Sequence, residues 1–226
     1  MHELYIANKT YSSWSLRPWV LMQQLGINFT EKLVPFGEGS NWAAYRAFSP
    51  TGKVPCLVTE HGPVWDSLAI AEFLAEERPA VWPAHPVARA WARCASAEMH
   101  SGFSNLRQQC SMNCCIEVGL YGIDAALQAD LDRLQELWQE GLTRFGGPFL
   151  AGDQFTAVDA FFCPVAFRVQ TYGLPLAPDC QAYVQRLLHL PAMQAWREQA
   201  LAEPWIEPGH EKDCVARGHL LKDHRA

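Results

Sequence analysis

The 226-residue sequence lacks the marks of several protein classes. It has no apolar run near the roughly 20 residues that a membrane-spanning helix needs. Its start lacks a basic segment followed by an apolar stretch and a cleavage site, so we predict no signal peptide and a cytoplasmic protein. The net charge is −6 and the basic residues are scattered, which argues against a nucleic-acid-binding surface.

The cysteines also lack the spacing of a structural zinc site. None of the eight forms a CxxC pair with a second matching pair, and a chain this rich in core residues needs no disulfides. Near the C-terminus, only an adventitious metal site could form from His210, Cys214, His219 and His224. We predict no metal cofactor and interpret the cysteines as buried or incidental, because a free thiol usually behaves as a small apolar side chain.

What the sequence does have is apolar material for a sizeable core: 49 % hydrophobic residues, with nine Trp and eleven Phe. In residues 1–80 the periodicity predicts a βαβ unit, then a helix, a hairpin and a helix, which is a thioredoxin-like order. The predicted strands are 3–7, 28–34, 53–58 and 64–65, and the predicted helices are 15–24, 42–48 and 66–77.

The rest of the chain is predicted to be helical. Residues 79–86 belong to a proline-rich stretch that we interpret as a linker, and residues 87–226 form an all-helical second domain. The first helix of this domain is expected to bend near Gly102, and the tail after Pro204 to be either an ordered wrap or loose. The predicted helices are 87–115, 125–145, 157–171, 180–188 and 192–201.

The segment Ser12-Ser13-Trp14-Ser15 precedes the first predicted helix. Pro18 has no amide donor and fits the first helical turn, so Trp14 or Ser15 is the expected cap. Ser12 and Ser13 then lie just before the positive end of the helix, where a hydroxyl can donate to a thiolate. The alternative is that these serines do no more than cap the helix.

Two further motifs are candidates for holding a peptide ligand. A cis bond between Val54 and Pro55 would turn the backbone of Val54 outward, but such bonds are uncommon and the sequence alone does not establish one. Asp66-Ser67 opens a helix, either as an ordinary N-cap or as a site where Ser67 binds a carboxylate and Asp66 an ammonium group.

A fourth motif, Phe155-Thr156-Ala157-Val158-Asp159, predicts a structural capping box. Together and in this order, the four motifs resemble the glutathione transferase family over the whole chain. The resemblance implies a thioredoxin-like N-terminal domain, an all-helical C-terminal domain, glutathione as co-substrate and a homodimer. The segment from Ser12 to Arg17 is similar to the Ser-Ser-Cys-x-x-Arg pattern of the zeta class.

The resemblance also implies roles for individual residues. Either Ser12 or Ser13 would donate to the glutathione sulfur: the zeta pattern favours Ser12, to which we give preference, and counting back from Arg17 as in other serine-type classes favours Ser13. The remaining glutathione contacts would be the glycyl carboxylate at Lys53, the cysteinyl part at Val54 and Pro55, and the γ-glutamyl end at Asp66 and Ser67.

Two departures from the zeta pattern leave the reaction open. Trp14 replaces the zeta cysteine, and Thr171 stands where a zeta isomerase carries an arginine, with Arg168 about one turn earlier. We predict a transferase acting on a small electrophile, with Trp14, Arg168 and Tyr172 binding that substrate beside the segment 99–112. The alternatives are a maleylacetoacetate isomerase-like cis–trans isomerase and a non-catalytic interaction module.

Overall fold

The computed structural model describes residues 2–37 and 39–225. Its N-terminal domain contains a four-stranded mixed sheet in the order β2-β1-β3-β4. β1 runs parallel to β2 and antiparallel to β3, and β3 and β4 form a hairpin. The strands are β1 His2–Ile6, β2 Phe29–Leu33, β3 Cys56–Thr59 and β4 Gly62–Val64. The helices of this domain are α1 Ser13–Gln24, α2 Trp42–Tyr45 and α3 Ser67–Glu77, which confirms the predicted order of elements.

Helix α1 begins earlier than the sequence predicted. Its N-cap is Ser12, so the expected cap at Trp14 or Ser15 is wrong, and Pro18 lies inside the helix. A proline there removes one internal hydrogen bond. The helix accommodates this loss because its central residues are buried in the core. The helix ends at Gln24, as predicted, and Gly26 follows with a φ of 62°, a conformation that glycine adopts without strain.

The second domain is helical, as predicted. A 3-10 turn, Pro79–Val81, leads into α4 Pro86–Ser101, α5 Ser104–Gln109, α6 Ala125–Phe145, α7 Ala157–Tyr172, α8 Pro178–Leu188, α9 Pro191–Leu201 and α10 Pro208–Val215. Helix α7 is its centre: every residue of α7 except Gln170 is buried, and it packs against α1, α4 and α8. Among the described residues, no helix is long and apolar enough to cross a bilayer.

A two-stranded antiparallel sheet in this domain was not predicted. It pairs β5, Ile116–Leu120, with β6, Gly218–Asp223. The expected single helix over 87–115 is therefore wrong: it breaks at Gly102 and Phe103, whose φ is 54°, and helical structure ends at Gln109. Of the two alternatives for the tail, the structure selects the ordered one, since α10 and β6 lie within it.

The predicted capping box is present at the start of α7. The Asp159 carboxylate is fully buried and accepts hydrogen bonds from the backbone amides of Thr156 and Leu150, both at 3.0 Å. The hydroxyl of Tyr183 on α8 also donates to it, at 2.9 Å. One carboxylate thus ties α7 to α8 and to the preceding loop, which confirms the structural role predicted for this motif.

Candidate active site

A cavity of about 720 Å³ lies where the two domains meet. Six of the predicted site residues line it: Ser12, Ser13, Trp14, Lys53, Val54 and Arg168. The structure adds lining residues that the sequence did not indicate, among them Tyr11, Phe36, Trp42, Tyr45 and His210, and it places Arg107 and Ser111, from the predicted segment 99–112, in the same lining. The other four predicted residues, Pro55, Asp66, Ser67 and Tyr172, lie outside this lining.

The two candidate serines occupy different environments. The Ser12 side chain is buried, and its hydroxyl donates to the Ser15 hydroxyl at 2.7 Å. Ser15 in turn accepts from the amide of Ala7 at 3.3 Å. Ser13 is half-buried and is the first residue of α1. Both serines therefore lie at the positive end of the helix, but the Ser12 hydroxyl already has a partner within the protein.

The segment before β3 also lines the cavity. The Val54-Pro55 peptide bond is cis, which is the geometry that the sequence analysis required but could not establish. Val54 is half-buried and lines the cavity, while Pro55 is buried behind it. Lys53 is exposed and supplies a positive charge to this part of the cavity.

The start of α3 belongs to a polar group that we call the Asp66 cluster: Arg17, Asp66, Ser67 and His100. Asp66 is the N-cap of α3, accepting from the Leu68 amide at 3.0 Å, and its second oxygen lies 3.2 Å from Nε2 of His100 on α4. Arg17 is buried nearby, where burial holds its pKa well below the ordinary value. Ser67 Oγ, His100 Nδ1, and Nε and Nη1 of Arg17 are buried without a hydrogen-bond partner in residues 2–37 and 39–225.

Cations surround Trp14 at the junction of the domains. The guanidinium carbons of Arg17 and Arg107 lie 4.2 and 4.6 Å from its ring centroid, within the range of cation–π attraction. Arg107 and Trp14 both line the cavity. This part of the cavity therefore combines an aromatic face with positive charge.

The three predicted positions on α7 differ in what they contact. Arg168 is buried; it donates to the carbonyls of Cys110 at 2.8 Å and Pro164 at 3.2 Å, and burial lowers its pKa to about 10. The Tyr172 hydroxyl lies 2.8 Å from the carbonyl oxygen of Ser111. Thr171 donates to the carbonyl of Asn113 at 2.6 Å. All three thus hold the segment after α5 in place, and only Arg168 also reaches the cavity.

Two family models match most of the chain. The glutathione S-transferase N-terminal domain model matches residues 11–77, and the C-terminal domain model matches residues 117–199. The chain belongs to the glutathione S-transferase family. The resemblance inferred from the four motifs is thereby confirmed, and the chain is an enzyme of this family.

Individual relatives of this transferase agree. A Caenorhabditis elegans protein named a probable maleylacetoacetate isomerase is 28 % identical over 180 residues, or 77 % of this chain and 82 % of the relative. A solved glutathione transferase homologue from Burkholderia GL BGR1, with bound glutathione, is 25 % identical with a TM-score of 0.64, covering 88 % of this chain and 97 % of that one. A theta class transferase from Xanthomonas axonopodis pv. citri, with glutathione bound, shares the fold at 24 % identity and a TM-score of 0.63, over 86 % and 95 % of the chains.

Potential metal ligands and cysteines occur elsewhere in this transferase. No group of three or more potential metal ligands is found among residues 2–37 and 39–225, which include His210, Cys214, His219 and His224. All eight cysteines are free, and only Cys94 is exposed. Seven of the eight cysteines are thus buried, as the sequence analysis predicts for thiols that behave as small apolar side chains.

Proposed function

We propose that this chain binds glutathione, activates its thiol as a thiolate and uses it to attack a small electrophile. The observation that carries the proposal is the placement of Ser13, at the N-terminus of α1, in one cavity with Lys53 and Val54. A helix N-terminus favours negative charge by about 0.3–1 kcal/mol. A hydroxyl that donates to the sulfur adds a charge-assisted hydrogen bond, so both lower the thiol pKa from about 8.5.

Between the two serines, we favour Ser13 as the donor to the sulfur. The Ser12 hydroxyl is buried and already donates to Ser15 at 2.7 Å, whereas Ser13 is half-buried at the cavity wall. Ser12, which the zeta pattern favours, would have to exchange its partner in order to reach the sulfur. With Ser13 as the donor, Ser12 helps to position the turn rather than the thiolate.

The remaining parts of glutathione are assigned to the residues around the cavity. We place the glycyl carboxylate at Lys53 and the cysteinyl backbone at Val54. The γ-glutamyl end belongs at the Asp66 cluster, where Ser67 Oγ and the Nε and Nη1 atoms of Arg17 have no partner among the described residues and suit a carboxylate. Asp66 carries the opposite charge and suits the ammonium group.

In the reaction, the thiol proton leaves to solvent and the thiolate sulfur forms a bond to the electrophilic carbon. The leaving group departs with the bonding electron pair. Trp14 and Arg168 are proposed to bind the second substrate, and Tyr172 to fix the Ser111 segment that borders it. An aromatic surface beside cations suits an aromatic or electron-poor substrate.

The test uses retention on immobilised glutathione and the ultraviolet absorbance of the bound thiolate against pH. The parent chain is expected to bind glutathione, and Ser13→Ala to raise the pKa of the bound thiol by about one unit, or about 1.4 kcal/mol. Ser12→Ala is expected to have a smaller effect. Ser104→Ala is the matched control, because Ser104 lines the cavity from α5 and is expected to leave the pKa unchanged.

Two results would contradict the proposal at different levels. A parent chain that does not bind glutathione at millimolar concentration would remove glutathione activation as its function. Normal binding with the same thiol pKa in Ser12→Ala and Ser13→Ala would instead remove the serines from the mechanism.

A second candidate is glutathione-dependent cis–trans isomerisation of an acidic substrate. It is favoured by the cations Arg107 and Arg168 in the cavity and by the isomerase relative from Caenorhabditis elegans. Trp14 and Thr171 stand against it, because they replace the cysteine and the arginine of the zeta pattern and Thr171 is bonded to a backbone carbonyl. Isomerisation of maleylacetoacetate, measured beside conjugation of an aryl halide, distinguishes the two activities.

A further inference from the structure

The C-terminal segment is fixed against the cavity. Strand β6 pairs with β5 along its length, and the Glu211 carboxylate on α10 joins three parts of the chain. Glu211 accepts from the Tyr11 hydroxyl at 2.6 Å and from Asn113 at 3.1 Å, and it forms a bidentate pair with Arg225 at 2.7 and 3.0 Å. Burial raises the pKa of Glu211, but the bonds from Arg225 and Tyr11 outweigh it and hold that pKa low. Helix α10 is therefore an anchored wall.

This wall brings one imidazole to the cavity. His210, in the first turn of α10, lines the cavity together with Ser12 and Ser13. Its ring stacks on Tyr11, with centroids 5.0 Å apart, and on Phe36, with centroids 4.8 Å apart. The interplanar angles of 26° and 20° show near-parallel stacking on both. The plane of the imidazole is thus set by residues of the N-terminal domain.

The first ring nitrogen of His210 has a carboxylate partner. Nδ1 lies 2.6 Å from Oε2 of Glu207, the N-cap of α10. The hydrogen bond from the His210 backbone amide, with a further contribution from the imidazole, outweighs burial and lowers the pKa of Glu207. Because Glu207 stays ionised, Nδ1 carries the proton of this pair, and Nε2 is the ring atom left for other contacts. In the described part of the chain, Nε2 has no hydrogen-bond partner and is not among the buried unpaired atoms.

We propose that His210 is a ligand-binding residue of the cavity, whose Nε2–H donates to an anionic oxygen of the bound molecule. The chemical class is a carboxylate, which belongs either to glutathione or to the second substrate. In this arrangement Glu207 is the partner of Nδ1 and the ligand carboxylate is the partner of Nε2. Lys53 lines the same cavity and favours the same sign of ligand charge. The inference rests on the proposed function, since it concerns the ligand of the same cavity.

Further charged groups of the C-terminal segment are Glu211, on the same helix as His210, and Arg225, after β6. Their charges pair with each other at 2.7 Å. Tyr11 is their neighbour on the β1–α1 turn, and burial raises its pKa above the ordinary value, so the phenol stays neutral. The ion pair and the neutral phenol leave Glu207 as the carboxylate that directs the imidazole.

The test variant is His210→Phe, which keeps a ring to stack on Tyr11 and Phe36 but removes both nitrogens. The matched control is His219→Phe on β6, where the histidine is exposed and stacks on Tyr121 at 5.9 Å. Dissociation constants are measured by calorimetry for glutathione and for γ-glutamylcysteine, which lacks the glycyl carboxylate. Michaelis constants are measured for a carboxylate-bearing aryl halide and for its uncharged analogue.

Either of two patterns would support the inference. If Nε2 binds the glycyl carboxylate, His210→Phe weakens glutathione binding about tenfold and leaves γ-glutamylcysteine unchanged. If it binds the second substrate, the dissociation constant of glutathione is unchanged, and the Michaelis constant rises about tenfold for the charged aryl halide alone. His219→Phe changes none of these constants.

Other patterns would overturn it. Unchanged constants in His210→Phe would show that Nε2 makes no such contact. Equal losses within both ligand pairs, that is for glutathione and γ-glutamylcysteine and for the charged and uncharged aryl halides, would show the same. His210→Gln is the second variant, because its amide can donate while its ring stack is lost. It should keep more affinity than His210→Phe, and an equal or larger loss would assign the effect to ring packing. A parent chain that fails to bind glutathione is seen before any variant and refutes the proposed function itself.

Discussion

Two groups of polar side chains, each with a buried cation, join the N-terminal domain to the helical domain, and they differ in how fully they are hydrogen-bonded. The first, which we call the Glu203 cluster, consists of Lys9, Thr10, Glu31 and Glu203. Lys9, 2 % exposed, pairs its ammonium with Glu31 and its amide with Glu203 at 2.6 Å. The amide and hydroxyl of Thr10 donate to the other Glu203 oxygen at 3.2 and 3.0 Å. Within the described residues, none of its side-chain atoms is buried without a partner.

The Asp66 cluster, whose Arg17 and Ser67 are buried while Asp66 itself is exposed, is incomplete. Arg17, 3 % exposed, stacks on Trp14 and on Phe161 at 4.9 Å, and two of its nitrogens have no acceptor in the described part of the chain. Each unpaired buried donor costs about 1–3 kcal/mol, and a cation costs more. A cost that the Glu203 cluster avoids is thus accepted beside the cavity. The comparison supports the proposal that the Asp66 cluster binds part of the ligand, whereas the Glu203 cluster holds the domains together.

The largest expected effect comes from breaking the complete cluster. Glu203→Ala removes the acceptor of two backbone amides and one hydroxyl, so we expect the free energy of unfolding to fall by about 4 kcal/mol. Chemical denaturation measures this loss, and an unchanged slope would show that the unfolding reaction is the same. Glu198→Ala, at an exposed site on α9, is the control and should cost no more than about 0.5 kcal/mol. A loss as small as that of the control would mean that the Glu203 cluster is not what joins the domains.

The next-largest effect concerns the buried carboxylate of Asp159, which accepts several hydrogen bonds as Glu203 does, and the change in stability when it ionises. Burial raises the pKa of Asp159 to about 6, although hydrogen bonds from Leu150, Thr156 and Tyr183 oppose the shift. The unfolded carboxyl loses its proton near 3.8, so the folded state holds the proton over a wider range. The stability that this group contributes is therefore fully present below about pH 4 and is lost as the pH rises through about 6.

The measurement compares the parent chain with Asp159→Asn, which cannot ionise at this position. Over the range from pH 4 to 7, the parent should lose about 3 kcal/mol of unfolding free energy relative to the variant. The variant carries all other titrating groups and so serves as the control for them. A constant difference between the two across this range would show that Asp159 ionises in the folded protein as it does in the unfolded chain.

The sequence predicted the parts of this structure that depend on neighbouring residues. The capping box at Thr156 and Asp159, the end of α1 at Gln24 and the N-cap at Asp66 are all set within one helical turn. The predicted cap of α1 is wrong because the prediction puts Pro18 in the first helical turn. Burial of the helix against the core outweighs the hydrogen bond that this proline removes.

Contacts between distant parts of the chain could not be predicted. Strands β5 and β6 are separated by about a hundred residues, and no hairpin turn in the sequence indicates their pairing. His210 reaches the cavity only because Glu211 and Arg225 anchor α10, and its sequence neighbourhood resembles an incidental metal site instead. Arg17 belongs to a motif that the sequence shows. That its Nε and Nη1 have no hydrogen-bond partner among the described residues depends on the side chains that α4 and α7 place around it.

The smallest expected effect sharpens the comparison at its incomplete side. Arg17→Met keeps a long apolar side chain against Trp14 and Phe161 but removes the buried charge. Replacing an unpaired buried cation by an apolar group is neutral or stabilising, so the free energy of unfolding should stay constant or rise. If the Arg17 nitrogens receive the γ-glutamyl carboxylate, glutathione binding should weaken about tenfold, or by about 1.4 kcal/mol.

The variant is therefore expected to lose affinity for glutathione without losing stability, a combination that a merely structural arginine would not give. Calorimetric titration with glutathione gives the affinity, and chemical denaturation gives the stability. Arg93→Met on α4 is the control, since Arg93 is exposed and pairs with Glu72 at 3.0 Å. If Arg17→Met lost stability as Glu203→Ala does and kept its affinity for glutathione, the two clusters would be alike, and the unpaired donors would have no ligand to explain them.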